Sequence, residues 1–471
     1  MRAKLANWLG FSSSDEFKKF SLLSTIFSLL IGAYWMLRPL KDSVFMSVVG
    51  PNYIPQAKFL SMLVVFPLVI IYSRLVDAFP RHRMMYVLGA IYGVLALCFA
   101  VVISLPGIGM ANMVLSPYRF WAWGWYVYVE SFGSLIVALF WAFVSDITNP
   151  ESARRGFPVI AFGGQIGNML CPLILVFLMG FAGIKVGPEG SLTPGAAHAT
   201  ALVHSVAVLL VAFALLIIML LVRYFMKSTP KSQMVGFQAT NAAQVEKEEH
   251  GAGFFEGIIL LVKSPYLLAI FAIITAFEVI ITILDFNFKA MVGDSFAVAS
   301  DITSYLSWYA SSVGLVSMLS IVLGINRIQK WLGTGFSLAL LPVIITGAVL
   351  SFYMHPVLGM LFWIMVFSKA INYAFTQPII KQLYIPTSTQ AKYKSQAFIE
   401  MYGSRGSKAL GSTVNTYRGA MIRSMGAIDG LTWFIAMCTY VSLGIIAVWF
   451  LIALYLGNSY RKAIDEKRVI I

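Results

Sequence analysis

Five expected spans of this chain, each of roughly 20 residues, carry ionisable side chains inside them or at their edges. Arg38, Lys41 and Asp42 share the first, and Glu130 sits in the middle of the second. Glu278, Asp285 and Lys289 occupy the third, Lys369 and Lys381 the fourth, and Glu400, Arg405 and Lys408 the fifth. A charge in hydrocarbon is costly, so such residues face one another or a polar cavity, and each marks a candidate site. The set is net basic, which suits an anionic ligand: arginine meets phosphate bidentately and lysine meets it as a point charge. Arg38 and Asp42 are four apart, as are Asp285 and Lys289, and Arg405 and Lys408 are three apart, so each pair shares a helix face. A structural ion pair is the other reading of Asp285 with Lys289. Asp42 can neutralise Arg38 and leave Lys41 free, and Lys381 can snorkel to the interface instead of facing a cavity. Trp125, Tyr126 and Tyr128, beside Glu130, offer faces on which a base ring can stack, while for Trp121 to Trp125 an interfacial aromatic belt is the other reading.

Catalytic constellations are scarce. His82, His198, His204, His250 and His355 fall in loops or at the ends of apolar runs and form no cluster. Phe162-Gly163-Gly164-Gln165-Ile166-Gly167 is glycine-rich but lies inside an apolar stretch, where Gly163 and Gly167 make a small-residue face for close helix packing. A phosphate-cradling loop follows a strand, and the chain carries no GxxxxGK[ST] pattern. Cys98, Cys171 and Cys438 have no metal-ligand spacing and read as small buried hydrophobes. The expectation is a protein that is not an enzyme, with no metal and no cofactor.

The elements that must hold the charges are helices. Of 471 residues, 59% are hydrophobic and only 11% charged, too few charges to cover a water-facing surface. The reading is an all-α polytopic membrane protein of about twelve spans. They are placed near 20–46, 57–77, 84–105, 118–144, 157–182, 200–225, 266–290, 303–325, 333–353, 356–384, 396–417 and 431–457. With the N-terminus inside, the N-terminal segment and even-numbered connections hold most of the Lys and Arg, and the other face keeps only Lys58, Arg119, Lys185, Arg418 and Arg423. That asymmetry puts both termini in the cytoplasm, and it explains the formal charge of +14 without nucleic acid. The opening residues lack a cleavable signal or transit segment, which suggests a bacterial inner membrane. A polar stretch splits the chain into an N-terminal six-helix half (1–225), a cytoplasmic linker (226–265) and a C-terminal six-helix half (266–471). Within the linker, Phe254 to Val262 suits an amphipathic surface helix. This is the major facilitator layout, and the charges fall on spans one, four, seven and ten, the spans that line its cavity, and on span eleven.

Several motifs add a resemblance. Arg38-Pro39-Leu40-Lys41-Asp42 with Tyr53-Ile54-Pro55 and Lys58, Glu130-Ser131-Phe132-Gly133-Ser134, and Asp285-Phe286-Asn287-Phe288-Lys289 resemble stretches of the ATP/ADP translocase family of plastids and intracellular bacteria. So do Tyr384-Ile385-Pro386 and Gly403-Ser404-Arg405-Gly406-Ser407-Lys408, in the family's order. The resemblance implies ATP/ADP exchange or nucleotide import with protons, with Lys41, Glu130, Asp285 and Lys381 as the transport-critical charges. The chain departs from the family at Asp285, where glutamate is usual, and at Gln377 to Gln382, where two acids are missing and the lysine is displaced by one position. The expected ligand is therefore a nucleotide or other phosphorylated small anion, carried by a monomer in the bilayer through Arg38, Lys41, Glu130, Asp285, Lys289, Lys369, Lys381, Arg405 and Lys408. The alternative is the same fold carrying a different anionic or amphiphilic solute.

Overall fold

The structure, a computed structural model, describes residues 13–148, 150–181, 194–230, 261–322, 326–384 and 403–466, with 234, 386, 387 and 399 besides. The helices are α1 (Ser14–Val48), α2 (Ile54–Ala78), α3 (Arg81–Ser104), α4 (Phe120–Asp146), α5 (Pro150–Gly180), α6 (Pro194–Ser228), α7 (Pro265–Ser295), α8 (Ala299–Val322) and α9 (Asn326–Met354). They continue as α10 (Leu358–Ile371), a π turn (Asn372–Thr376), α11 (Gln377–Leu383), α12 (Ser404–Asn415), α13 (Tyr417–Met425) and α14 (Ala427–Asp465). No β-strand occurs among the described residues.

Nine helices among those residues are long and apolar enough to cross a bilayer: α1 to α7, α9 and α14. α10 is a shorter apolar helix. α8 overlaps the eighth expected span without reaching that standard. The eleventh expected span, 396–417, falls partly outside the described residues and is otherwise occupied by α12, with α13 beyond it. Large apolar side chains point outward along these helices: Phe177 is 68% exposed, Leu451 66% and Val101 60%. On a water-soluble protein such surfaces would invite association. Around a membrane protein they are the lipid-facing side. Most of the expected linker, including Phe254 to Leu260, lies outside the described residues.

The chain forms two compact units, one of residues 1–51, 63–250 and 293–314, the other of residues 52–62, 251–292 and 315–471. In the first, α5 lies along α1 and α6 along α3. The glycine face read from sequence is the α1–α5 seam. A Cβ on Gly163 would stand 2.2 Å from Ser24 Oγ, and one on Gly167 would stand 2.1 Å from the Ser28 carbonyl oxygen. Without hydrophobic pressure between helices in lipid, such close backbone approach and its dispersion contacts hold a seam together. Ser24 adds a hydrogen bond to the Val159 carbonyl at 2.8 Å.

In the second unit, α9 and α14 meet at Gly335 and Gly457, where a Cβ on Gly457 would come 2.5 Å from the Gly335 Cα. α12 fits against α7, with Gly411 close to the Val279 carbonyl and Asn415 Nδ2 donating to Thr282 O at 3.2 Å. Gly426, between α13 and α14, takes φ +88°, a left-handed conformation that glycine adopts without a Cβ clash.

Candidate functional site

Two charge clusters form, one in each unit. In the first, α1 carries Arg38, Lys41 and Asp42 past Pro39, whose ring removes one backbone donor from the helix. Lys41 Nζ reaches across to α4, where Glu130 Oε1 lies at 2.5 Å, and also stands 3.6 Å from Asp42 Oδ1. The ammonium sits over the Tyr126 ring, 4.3 Å from its centre. Lys41 is thus held by two carboxylates and an aromatic face, so of the two readings open for it in the sequence, free or ion-paired, the paired one applies. It looks free in sequence because its main partner is 89 residues away. Arg38 stacks over Trp35 at 4.6 Å and Tyr34 at 5.7 Å, a cation–π arrangement.

The aromatic platform read beside Glu130 is mostly internal packing. Trp125 and Tyr126 are fully buried, and Trp125 stacks on Tyr128 with Phe99 against both. Of Trp125, Tyr126 and Tyr128, Tyr126 is the one that lies under Lys41. Trp121 and Trp123 instead donate to the carbonyls of Ile108 and Pro117, tying down the loop before α4.

The second cluster is built on Asp285. Its Oδ2 accepts from Lys289, one turn along α7, at 2.8 Å and from Lys58 of α2 at 3.4 Å. Its Oδ1 accepts from Lys369 of α10 at 3.2 Å. All four side chains are largely buried, with exposures of 16% for Lys58, 8% for Lys289, 11% for Lys369 and 10% for Asp285. Asp285–Lys289 is therefore not an isolated helix pair, since three ammonium groups from three helices converge on one carboxylate. The sequence marks Asp285, Lys289 and Lys369 as charges within spans, whereas Lys58 falls at the outer edge of the second span. Residues 52–62, with Lys58, group with the second unit, as does Asp285. Just past Lys369 the backbone makes the π turn, a feature enriched at functional sites.

Farther along α7, Glu278 accepts from Ser404 at 3.2 Å and lies 3.8 Å from Lys408 of α12. Lys408 is half exposed, so this pair contributes little to stability. Arg405 is half-buried on α12. Glu400 and the side chain of Lys381 lie outside the described residues.

A node absent from the sequence reading joins α1, α6 and α8 in the first unit. His204, fully buried, meets Thr303 Oγ1 through Nε2 at 2.8 Å and the Thr200 carbonyl through Nδ1 at 2.8 Å. Thr303 Oγ1 is also 2.6 Å from Ser43 Oγ. Among the described residues no group of three or more His, Cys, Asp or Glu could hold a metal ion.

Residues 6–460 match the TLC ATP/ADP transporter family. ADP,ATP carrier protein 3 of Rickettsia bellii is 24% identical over 452 residues, covering 85% of this chain and 87% of that protein. ADP,ATP carrier protein 1 of Chlamydia pneumoniae is 22% identical, covering 99% of this chain and 96% of that protein. Among solved structures, a bacterial homologue of the iron transporter ferroportin superposes with a TM-score of 0.60 at 12% identity, covering 93% of this chain and 98% of that one. That likeness carries the fold alone, the major facilitator-like arrangement of a multi-pass membrane protein. By a match that spans nearly its whole length, the chain is a member of the TLC ATP/ADP transporter family.

Proposed function

We propose that the protein is a secondary active transporter of nucleotides, working by alternating access in a bacterial inner membrane, with both termini in the cytoplasm. It exchanges ATP for ADP or carries nucleotide with protons, acts as a monomer, and catalyses no reaction. The single observation that carries this reading is the cluster of Lys58, Lys289 and Lys369 around Asp285: a buried, net-basic site within a transporter fold suits a polyphosphate. The names of the relatives, ADP,ATP carriers, point the same way. In the other unit, Lys41 supplies a further cation, and its pairing with Glu130 is a contact that a substrate phosphate or a proton can exchange into. Arg38, Arg405, Lys408 and Lys381 complete the proposed set of substrate-facing cations.

The test is uptake of radiolabelled ATP, ADP, other nucleoside triphosphates and NAD by cells expressing the protein. Saturable uptake competed by one nucleotide and lost in Lys41→Ala is the expected result. If no nucleotide enters cells whose membranes contain the protein, the reading is wrong.

A further inference from the structure

We infer that a cavity of about 510 Å³ in the second unit receives the base ring of the nucleotide, whose phosphates lie toward the lysines around Asp285. The ligand class rests on the nucleotide reading above, and the place of the base rests on the cavity itself.

The cavity lies between α2, α7 and α12, and all of its described walls belong to the second unit. Phe59 and Met62 come from α2, Phe271 and Thr275 from α7, and Gly406 and Leu410 from α12. Its volume is in the ordinary range for small-molecule sites, and its walls have their usual character, mostly apolar with aromatic rings. Every base has a flat face that stacks on an aromatic ring, and here two different helices each supply one. Gly403 lets the Phe271 ring lie against α12, since a Cβ there would stand 2.7 Å from Phe271 Cε2.

Position ties the cavity to the charges. Phe271, Thr275, Glu278 and Asp285 follow one another at intervals of four, three and seven residues, so they lie along one face of α7. On α2, Met62 stands one turn from Lys58, about 6 Å along the axis. Because Lys58 meets Asp285, the cavity begins close to the lysine cluster and continues along α7 toward Phe271. A base in the cavity and phosphates at the lysines are then parts of one ligand. Gly406 gives a second, independent sign. It has no positive φ, and a Cβ on it would meet nothing within 4 Å, so neither backbone conformation nor packing calls for glycine there. Gly403 and Gly411, on the same segment, do have neighbours against them. Glycine is a poorer helix former than alanine, and close approach of a ligand to the backbone accounts for its presence at 406.

Gly406→Leu fills the cavity from a position with room for a side chain. The measurement is calorimetric titration of ADP and of pyrophosphate into the full-length protein in nanodiscs, with folding checked by elution profile and circular dichroism. Gly406→Leu is expected to weaken ADP binding about tenfold, the scale of one lost base–aromatic stack, and to leave pyrophosphate unchanged. Phe271→Leu should show the same selective loss. ADP binding unaltered in both folded variants would overturn the inference, as would parallel losses for ADP and pyrophosphate.

If the variants do not fold, photolabelling of the unaltered protein decides, with 2-azido-ADP, which carries its reactive group on the base. Label is expected within residues 59–62, 271–275 or 403–413, and excess ADP should abolish it. Label confined to other segments would overturn the inference, as would label that persists in excess ADP, the mark of an apolar probe partitioning from the membrane. ADP bound equally by the unaltered protein and both variants leaves the nucleotide reading standing and removes the base site. If the unaltered protein binds no nucleotide at all, the nucleotide reading falls and the base site falls with it.

Discussion

Lys41 and Glu130 are unequal partners, with side chains 5% and 34% exposed. Breaking a buried ion pair by removing one member leaves the other charge stranded, at about 3–5 kcal/mol in well-buried cases. Lys41→Met removes a cation shared by two carboxylates, Asp42 and Glu130, whereas Glu130→Gln leaves Lys41 with Asp42 at 3.6 Å. Lys41→Met should therefore lower the melting temperature of the purified protein clearly more than Glu130→Gln. The double variant should recover only part of the loss, because Asp42 remains. Equal losses from the two single changes would mean the pair is not organised in this way. The His204 node makes a milder prediction. Thr303→Val removes the hydroxyl that joins His204 to Ser43, and hydrogen bonds between membrane helices average about 0.6 kcal/mol, so a thermal shift of a few degrees at most is expected. A collapse of folding would show that the node carries more. At this scale the sequence revealed charge and hid partnership. Lys41, Asp285 and Lys289 are conspicuous because a charge in an apolar run is rare. Lys58 lies at a span's edge, where a lysine is unremarkable, and nothing in α2 alone announces a partner in α7. His204 does not stand out in the sequence because its partners, a hydroxyl and a backbone carbonyl, leave no mark in hydropathy.

Between helices, the α1–α5 seam sets the position of Lys41, since both cation and seam belong to α1. The backbone of α1 stands where a Cβ on Gly163 or Gly167 would go, so the flexible end of a side chain cannot simply move aside at Ser28. Gly167→Ala should cut the yield of monodisperse protein on size-exclusion chromatography severely. Gly180→Ala, on the same helix with nothing within 4 Å of the added methyl, should leave it unchanged. Similar profiles for the two variants would contradict the close seam. The glycine spacing made this face readable in advance, because four residues bring two small side chains onto one side of a helix. The interruptions were not readable. The π turn at Asn372–Thr376 and the break between α12 and α13 at Thr416 depend on local backbone hydrogen bonding, which periodicity averages away.

For the molecule as a whole, a charged fraction of 11% and recurrent apolar runs made an all-helical membrane protein legible at once. The number of spans was harder to read: nine helices among the described residues are long and apolar enough to cross a bilayer, and most of the stretch ahead of α12 lies outside those residues. Orientation rests on the distribution of Lys and Arg, and it predicts that a cysteine placed at Gln244 is labelled only from the cytoplasmic side of the membrane, whereas one at Asn112 is labelled from outside. Reversed labelling would invert the topology. Transport is the sharper question. In proteoliposomes loaded with unlabelled ADP, external radiolabelled ATP should accumulate saturably, should do so faster than in unloaded vesicles if exchange is the mode, and should fail with Lys289→Gln or Lys41→Met protein that has reconstituted normally. If ATP and ADP are both ignored by correctly inserted protein, or carried just as well after those lysines are neutralised, nucleotide transport through these basic clusters is contradicted.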